Sequence, residues 1–204
     1  MLDKSSDQIL DNNLIQIQSE FERKTPNIIL CSEPFHKIEF LNRLIQTVKD
    51  PIVVIDRDLL YSGYIESKMI KNNDNVTIFH PDNENWKEML LEIITKVSKE
   101  KFLVVIDSIN GVYNMFDGLD SARFINSCIM LLSSIGLQSK SSVIIVGTAR
   151  KRETGEWILS PGGKQIVRLG NMGMFFLEKI GSNLAITTIQ EKNVESKTFT
   201  IEKD

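Results

Sequence analysis

The 204 residues are 42% hydrophobic and 25% charged with a net charge of -3, enough chain for one full core and too little for two comfortable ones. No apolar run approaches the roughly 18 residues of a membrane span, and the N-terminal MLDKSSDQILDNN lacks the basic start and apolar middle of a signal peptide. The expectation is a cytoplasmic globular domain with no membrane partner.

In chain order, residues 1–25 form an N-terminal extension whose apolar repeat (Leu10, Leu14, Ile17, Phe21) suits a short helix packed on a core domain at 26–204. Five short apolar runs then read as strands: Asn27 to Cys31, Pro51 to Asp56, Asn75 to Phe79, Phe102 to Asp107 and Ser142 to Val146. Their nearly unbroken hydrophobicity predicts cover on both faces. Between them, apolar residues recur at helical spacing, as in Phe40, Leu41, Leu44, Ile45 and Val48, then Trp86 to Val97, then Phe124 to Ile135. This alternation predicts an α/β fold with a mostly parallel sheet flanked by helices. After Gly170 the rhythm changes to NMGMFFLEKI, a GSN turn, LAITTIQEKN and SKTFTIEKD, which predicts antiparallel strands at one edge. Cys31 and Cys128 lie in apolar segments without metal-ligand spacing, so buried reduced thiols are expected and a metal site is not.

The turn after the first strand occupies the position of a phosphate-binding loop, GxxxxGK[ST], where glycines let backbone N–H groups wrap phosphates, lysine reaches the outer phosphates and a hydroxyl holds magnesium. Setting Ser32 on the first glycine puts Lys37 on the second, Ile38 on the lysine and Glu39 on the hydroxyl. Every defining position differs. Phe35 and His36 would fill the middle of the turn, and a carboxylate at Glu39 facing phosphate at about 4 Å would cost roughly 4 kcal/mol at an effective dielectric of 20. A micromolar ligand has only about 8 kcal/mol to lose. Bound ATP and magnesium are therefore not expected, unless Lys37 swings in as a substitute.

Asp107 ends the apolar strand FLVVID, as a Walker B carboxylate does when it holds magnesium; a cap or turn role after a buried strand fits equally. Further on, Arg150, Lys151 and Arg152 form a basic cluster, followed by Trp157, Lys164 and Arg168. Such a loop can contact phosphates and stack a base. The competing reading is a solvated loop with Trp157 against a subunit neighbour. His36 and His80 have no partner at recognisable spacing, which suits turn or surface roles.

Six segments in order, SEPFHKIEFLNRL, VVIDRD, NVTIFHPDNENWKEMLLEII, FLVVIDSINGVY, SSVIIVGTAR and SPGGKQIVRLGNMGMFFLEK, resemble the RecA superfamily from about Asn27 to Asn193, particularly its RadA and KaiC-like branches. The resemblance implies a RecA-like core in which Asp107 stands at Walker B, Asp58 replaces the catalytic glutamate and Thr148 the polar sensor, commonly glutamine. Lys37, Asp58 and Asp107 would then be vestiges of a nucleotide site, with no catalytic residue left. It also places Arg150 to Lys164 at the family's DNA-contacting loop.

The function implied by the resemblance is that of a catalytically degenerate RadA-paralogue-like accessory protein of recombination or repair, not itself a competent ATPase. It would bind single-stranded DNA or RNA, or assemble as a homo-oligomer or with an active RecA-family protein. Two alternatives stand beside it: a ring-forming assembly subunit similar to the RecA-fold Elongator subunits or to KaiC, and a weak ATPase completed by a neighbouring subunit.

Overall fold

The computed structural model describes residues 4–116, 121–151, 153, 157–159, 170–189 and 196–202. A helix, α1 (Lys4–Arg23), leads into β1 (Asn27–Cys31), α2 (Pro34–Thr47), β2 (Ile52–Asp56), α3 (Leu60–Glu66) and β3 (Val76–Phe79). Then come α4 (Trp86–Val97), β4 (Leu103–Asp107), α5 (Ile109–Met115), α6 (Ser121–Ser139), β5 (Ser142–Lys151) and β6 (Trp157–Leu159). The hairpin β7 (Gly173–Ile180), β8 (Asn183–Thr188) and a last strand, β9 (Thr198–Ile201), complete the described chain.

The sheet runs β3-β2-β4-β5-β1-β7-β8-β9, and β6 pairs with the far end of β5. From β3 to β7 every neighbouring pair is parallel, and β7, β8 and β9 add antiparallel strands at the other edge. This is the expected α/β architecture. The hairpin between β7 and β8 turns on Gly181 and Ser182, where Gly181 has φ 63°, a conformation that costs glycine little.

Alternate residues of each central strand enter opposite cores. Ile29, Cys31, Val54, Val105, Ile144 and Leu177 pack with α1, α2 and Tyr61 of α3. Ile28, Leu30, Val53, Val104, Ile145 and Phe176 pack with α4, α5 and α6. Both faces of the central strands are thus covered. The N-terminal helix belongs to the first core: Leu14, Ile17 and Phe21 are buried, and the Phe21 ring meets Phe40 and Phe175 edge-on at 6.4 and 5.0 Å.

Three local expectations need correction. The strand expected at Asn75 to Phe79 is an edge strand with no fully buried residue, because β2 pairs only one of its sides. The segment from Arg150 onward begins as a hairpin, since β5 continues to Lys151 and pairs Arg150 with Ile158 and Lys151 with Trp157. Two seven-residue helices, α3 and α5, are too short for a periodic pattern to reveal. Among the described residues, no helix is long and apolar enough to cross a membrane.

Candidate functional site

The carboxyl ends of the parallel strands, where open α/β sheets place their sites, bring Lys37, Asp58 and Asp107 together. The same tetrapeptide, VVID, ends both β2 and β4, and the parallel register sets Asp56 beside Asp107. Both carboxylates are fully buried. One oxygen of Asp56 is satisfied locally: its Oδ2 accepts from the Ser62 backbone N–H (2.8 Å) and hydroxyl (2.7 Å) at the start of α3, while its buried Oδ1 has no hydrogen-bond partner among the described residues.

Asp107 meets its cation from further away and through Oδ1 alone; its buried Oδ2 has no hydrogen-bond partner among the described residues. Lys37 lies on the same stripe of α2 as Leu41 and Leu44, the stripe that faces the core, and is only 1% exposed. Its Nζ makes a close ion pair with Asp107 Oδ1 and sits 3.5 Å from Asp58 Oδ2. In the sheet, β5 separates β1 from β4. The lysine therefore ties the helix after β1 to the end of β4.

The cluster continues into α5. Ser108 caps that helix by accepting from the Gly111 backbone N–H (3.2 Å), and its hydroxyl donates to Asp58 Oδ2 (2.5 Å). Asp58 keeps a third of its side-chain surface exposed, so it is the carboxylate of the cluster that meets solvent. Leu59 beside it is an N-cap with φ 56°, a left-handed conformation rare for leucine, and is 54% exposed.

Burial is the largest influence on Asp107 and lifts its pKa to about 6, opposed by Lys37 and aided by Asp56 and Asp58. For Lys37, burial works against the charge, yet Asp107, then Asp58 and Cys31, outweigh it and hold the pKa above the ordinary lysine value. Near neutral pH the pair is charged on both sides. Burial also pushes the Cys31 thiol up to about 12, so it is not a nucleophile at neutral pH. Both cysteines are free and buried.

The connection from β1 to α2 is only Ser32 and Glu33. Phe35 and His36, expected in the middle of a longer turn, belong to the first turn of α2, with Phe35 64% exposed. Pro34 at the helix start has no N–H to offer an anion. Glu39 does not face the cluster as the sequence suggested: it pairs with Arg43 one turn on (3.4 Å). Ile38, at the position of the family's lysine, is buried in the first core.

Thr148, the expected sensor, has its backbone bracketed by Asn110: its N–H donates to Asn110 Oδ1 (2.8 Å) and its C=O accepts from Asn110 Nδ2 (3.3 Å). Sequence reasoning passed over Asn110, Ser108, Ser62 and Asp56. Only Asp56 had a signal, the repeated VVID. Arg150 is exposed on the β5–β6 hairpin. Lys151 and Trp157 face each other in the register of that hairpin, while their side chains, and all of Arg152, Lys164 and Arg168, lie outside the described residues. Among the described residues no group of three His, Cys, Asp or Glu side chains is arranged to hold a metal.

The chain matches no protein-family model, and no curated protein matches it. Solved structures do match. The crystal structure of the RadB recombinase superposes with a TM-score of 0.57 at 14% identity, over 85% of each chain. A second solved structure, an ATPase domain, superposes with a TM-score of 0.57 at 10% identity, over 97% of this chain and 95% of that one. The fold is the RecA-like α/β fold.

Proposed function

We propose that this chain is a catalytically degenerate RecA-fold accessory protein of recombination or repair, which binds nucleic acid or an active RecA-family partner and has given up nucleotide hydrolysis. The observation that carries the proposal is the placement of Lys37. A lysine that serves a nucleotide extends its ammonium to phosphate; this one is buried against Asp107 and Asp58, the two carboxylates that would otherwise serve a metal and an attacking water.

The residues present do not fit a nucleotide triphosphate with magnesium. Two residues between strand and helix cannot supply a row of inward N–H groups, and proline removes one more donor. Displacing Lys37 to admit a phosphate would strand Asp107 in the core without its cation, at a cost of about 3–5 kcal/mol. Nucleic-acid binding rests on the exposed Arg150 and the basic sequence around it.

Two measurements on the purified chain test the proposal. Millimolar ATP with magnesium is expected to leave the melting temperature unchanged, since a ligand raises stability only when present above its Kd. Binding to single-stranded DNA is expected to weaken steeply with salt and to fall when Arg150, Lys151 and Arg152 are reversed to glutamate. Saturable ATP stabilisation with turnover lost in Asp58→Ala would overturn the loss of nucleotide chemistry. Unchanged DNA binding in the triple reversal would overturn the assignment of that hairpin.

A further inference from the structure

Helices on the surface of a soluble domain normally turn a charged face to water. Two long helices of this chain do so: α4 exposes Lys87, Glu88 and Glu92, and α2 turns Glu39, Asn42, Arg43 and Gln46 outward. The 16 residues Phe124 to Ser139 of α6 contain no charge at all. Its outward face carries Phe124 (38% exposed), Met130 (46%), Leu131 (47%) and Leu137 (55%), with Ser127 and Ser134 between them.

These six positions are arranged symmetrically along the helix. Phe124 and Leu137 are equally far from the midpoint between Met130 and Leu131, and so are Ser127 and Ser134. An antiparallel copy of α6 placed on this face by a two-fold axis at that midpoint sets Phe124 against Leu137, Ser127 against Ser134 and Met130 against Leu131. Large residues meet large ones at the ends and centre. Small residues meet small ones between, which lets the two backbones approach closely. Antiparallel packing also sets the two helix dipoles head to tail.

We propose that the chain forms a two-fold symmetric dimer in which the outward face of α6 packs antiparallel against α6 of a second copy. A two-fold interface needs a patch complementary to itself, and this face meets that condition by residue size; between Phe124 and Leu137 it carries no charge, and the same axis sets the exposed Arg123 against the exposed Gln138 just beyond them. The Ser127 hydroxyl already donates to the Arg123 carbonyl (2.9 Å), so covering it leaves no unpaired donor. The four large side chains expose on the order of 300 Å² of apolar surface, the size of the largest patch on an ordinary monomer. With the rim of two helices about 28 Å long, this makes the apolar centre of an interface near the small end of the stable range, roughly 600 Å² per partner. A reversible dimer in the micromolar range is the expected outcome. The dimer does not depend on the fate of the nucleotide site.

Sedimentation velocity on the full chain across a micromolar concentration series tests the stoichiometry, and cysteine cross-linking tests the geometry. The wild type is expected to move from monomer to dimer, while Leu131→Glu and Leu137→Glu, both at exposed positions, stay monomeric with unchanged circular dichroism. Oxidation is expected to cross-link Ser127→Cys/Ser134→Cys as a dimer and to leave Ser127→Cys alone largely unlinked, because the axis holds the two copies of position 127 about 10 Å apart along the helix. A monomer throughout the series, dimers that persist in both glutamate variants, or equal cross-linking of Ser127→Cys alone would each overturn the proposal.

Discussion

At Lys37 a single side chain decides whether three buried or half-buried carboxylates can coexist. Removing one member of a buried ion pair leaves the other without compensation. Lys37→Met is therefore expected to lower stability by about 3–5 kcal/mol at pH 7 in urea denaturation, with a smaller loss at pH 5, where Asp107 takes a proton. Lys37→Met/Asp107→Leu should recover most of it, because two apolar groups replace the pair. Asp107 makes a second, signed prediction. Its folded pKa of about 6 lies above the ordinary 3.8, so its contribution to stability is complete below the ordinary value and is lost as pH rises through 6. The wild type should lose about 3 kcal/mol relative to Asp107→Asn between pH 4 and pH 7. Parallel pH–stability curves of the two proteins would contradict the assignment. That Lys37, Asp58 and Asp107 lie close together was foreseen only through the resemblance, which sets them at or just beyond the ends of β1, β2 and β4. That Glu39 turns away to Arg43 was not, since a helix that begins at Pro34 takes in Phe35 and His36, expected in the turn, and so sets the direction of every following side chain.

Among the elements, α5 shows how a short helix can matter more to the site than a long one. Its Gly111 packs so close that an added Cβ would lie 2.2 Å from Asp58 Oδ1 and 2.9 Å from Arg57 Cγ. Gly111→Ala is expected to push Asp58 off Ser108 and cost about 1–3 kcal/mol. Gly63, in the middle of α3, has nothing within 4 Å of its would-be Cβ, so Gly63→Ala should instead stabilise by about 0.5–1 kcal/mol. Chemical denaturation of the two variants side by side measures both signs. The long helices α4 and α6 were legible because burial on one side leaves a period in the sequence, and the central strands because cover on both faces leaves an unbroken apolar run. Neither α3 nor α5 completes enough turns to leave one, and β3 carries the hydrophobicity of a central strand while standing at the edge.

For the molecule as a whole, α1 is a structural wall of the first core. Leu14, Ile17 and Phe21 each withdraw a large side chain from water, worth about 1.5–3 kcal/mol apiece, and Lys101 ties Glu22 (2.8 Å) and Asp50 (2.9 Å) together at the base of the sheet. Their sum is comparable to the entire stability of an ordinary domain. A chain beginning at Thr25 should be insoluble or molten, as read by loss of near-ultraviolet circular dichroism and by dye binding. A cooperative transition in that truncation would show that the sheet holds its core without the helix.

By itself the sequence determined the alternation of strands and helices, the mostly parallel sheet with antiparallel strands at its end, and the mismatch to GxxxxGK[ST] at each defining position of the turn after β1. These are properties of period and of residue identity, which a linear chain records. Only the tertiary structure decided that Lys37 closes on Asp107 across the end of β5, that Ser108 and Asn110 tie α5 to its neighbours, and that the apolar residues left outside α6 fall on one symmetric face. Such relations join residues tens of positions apart, and their energies exist only once the chain has excluded water between them.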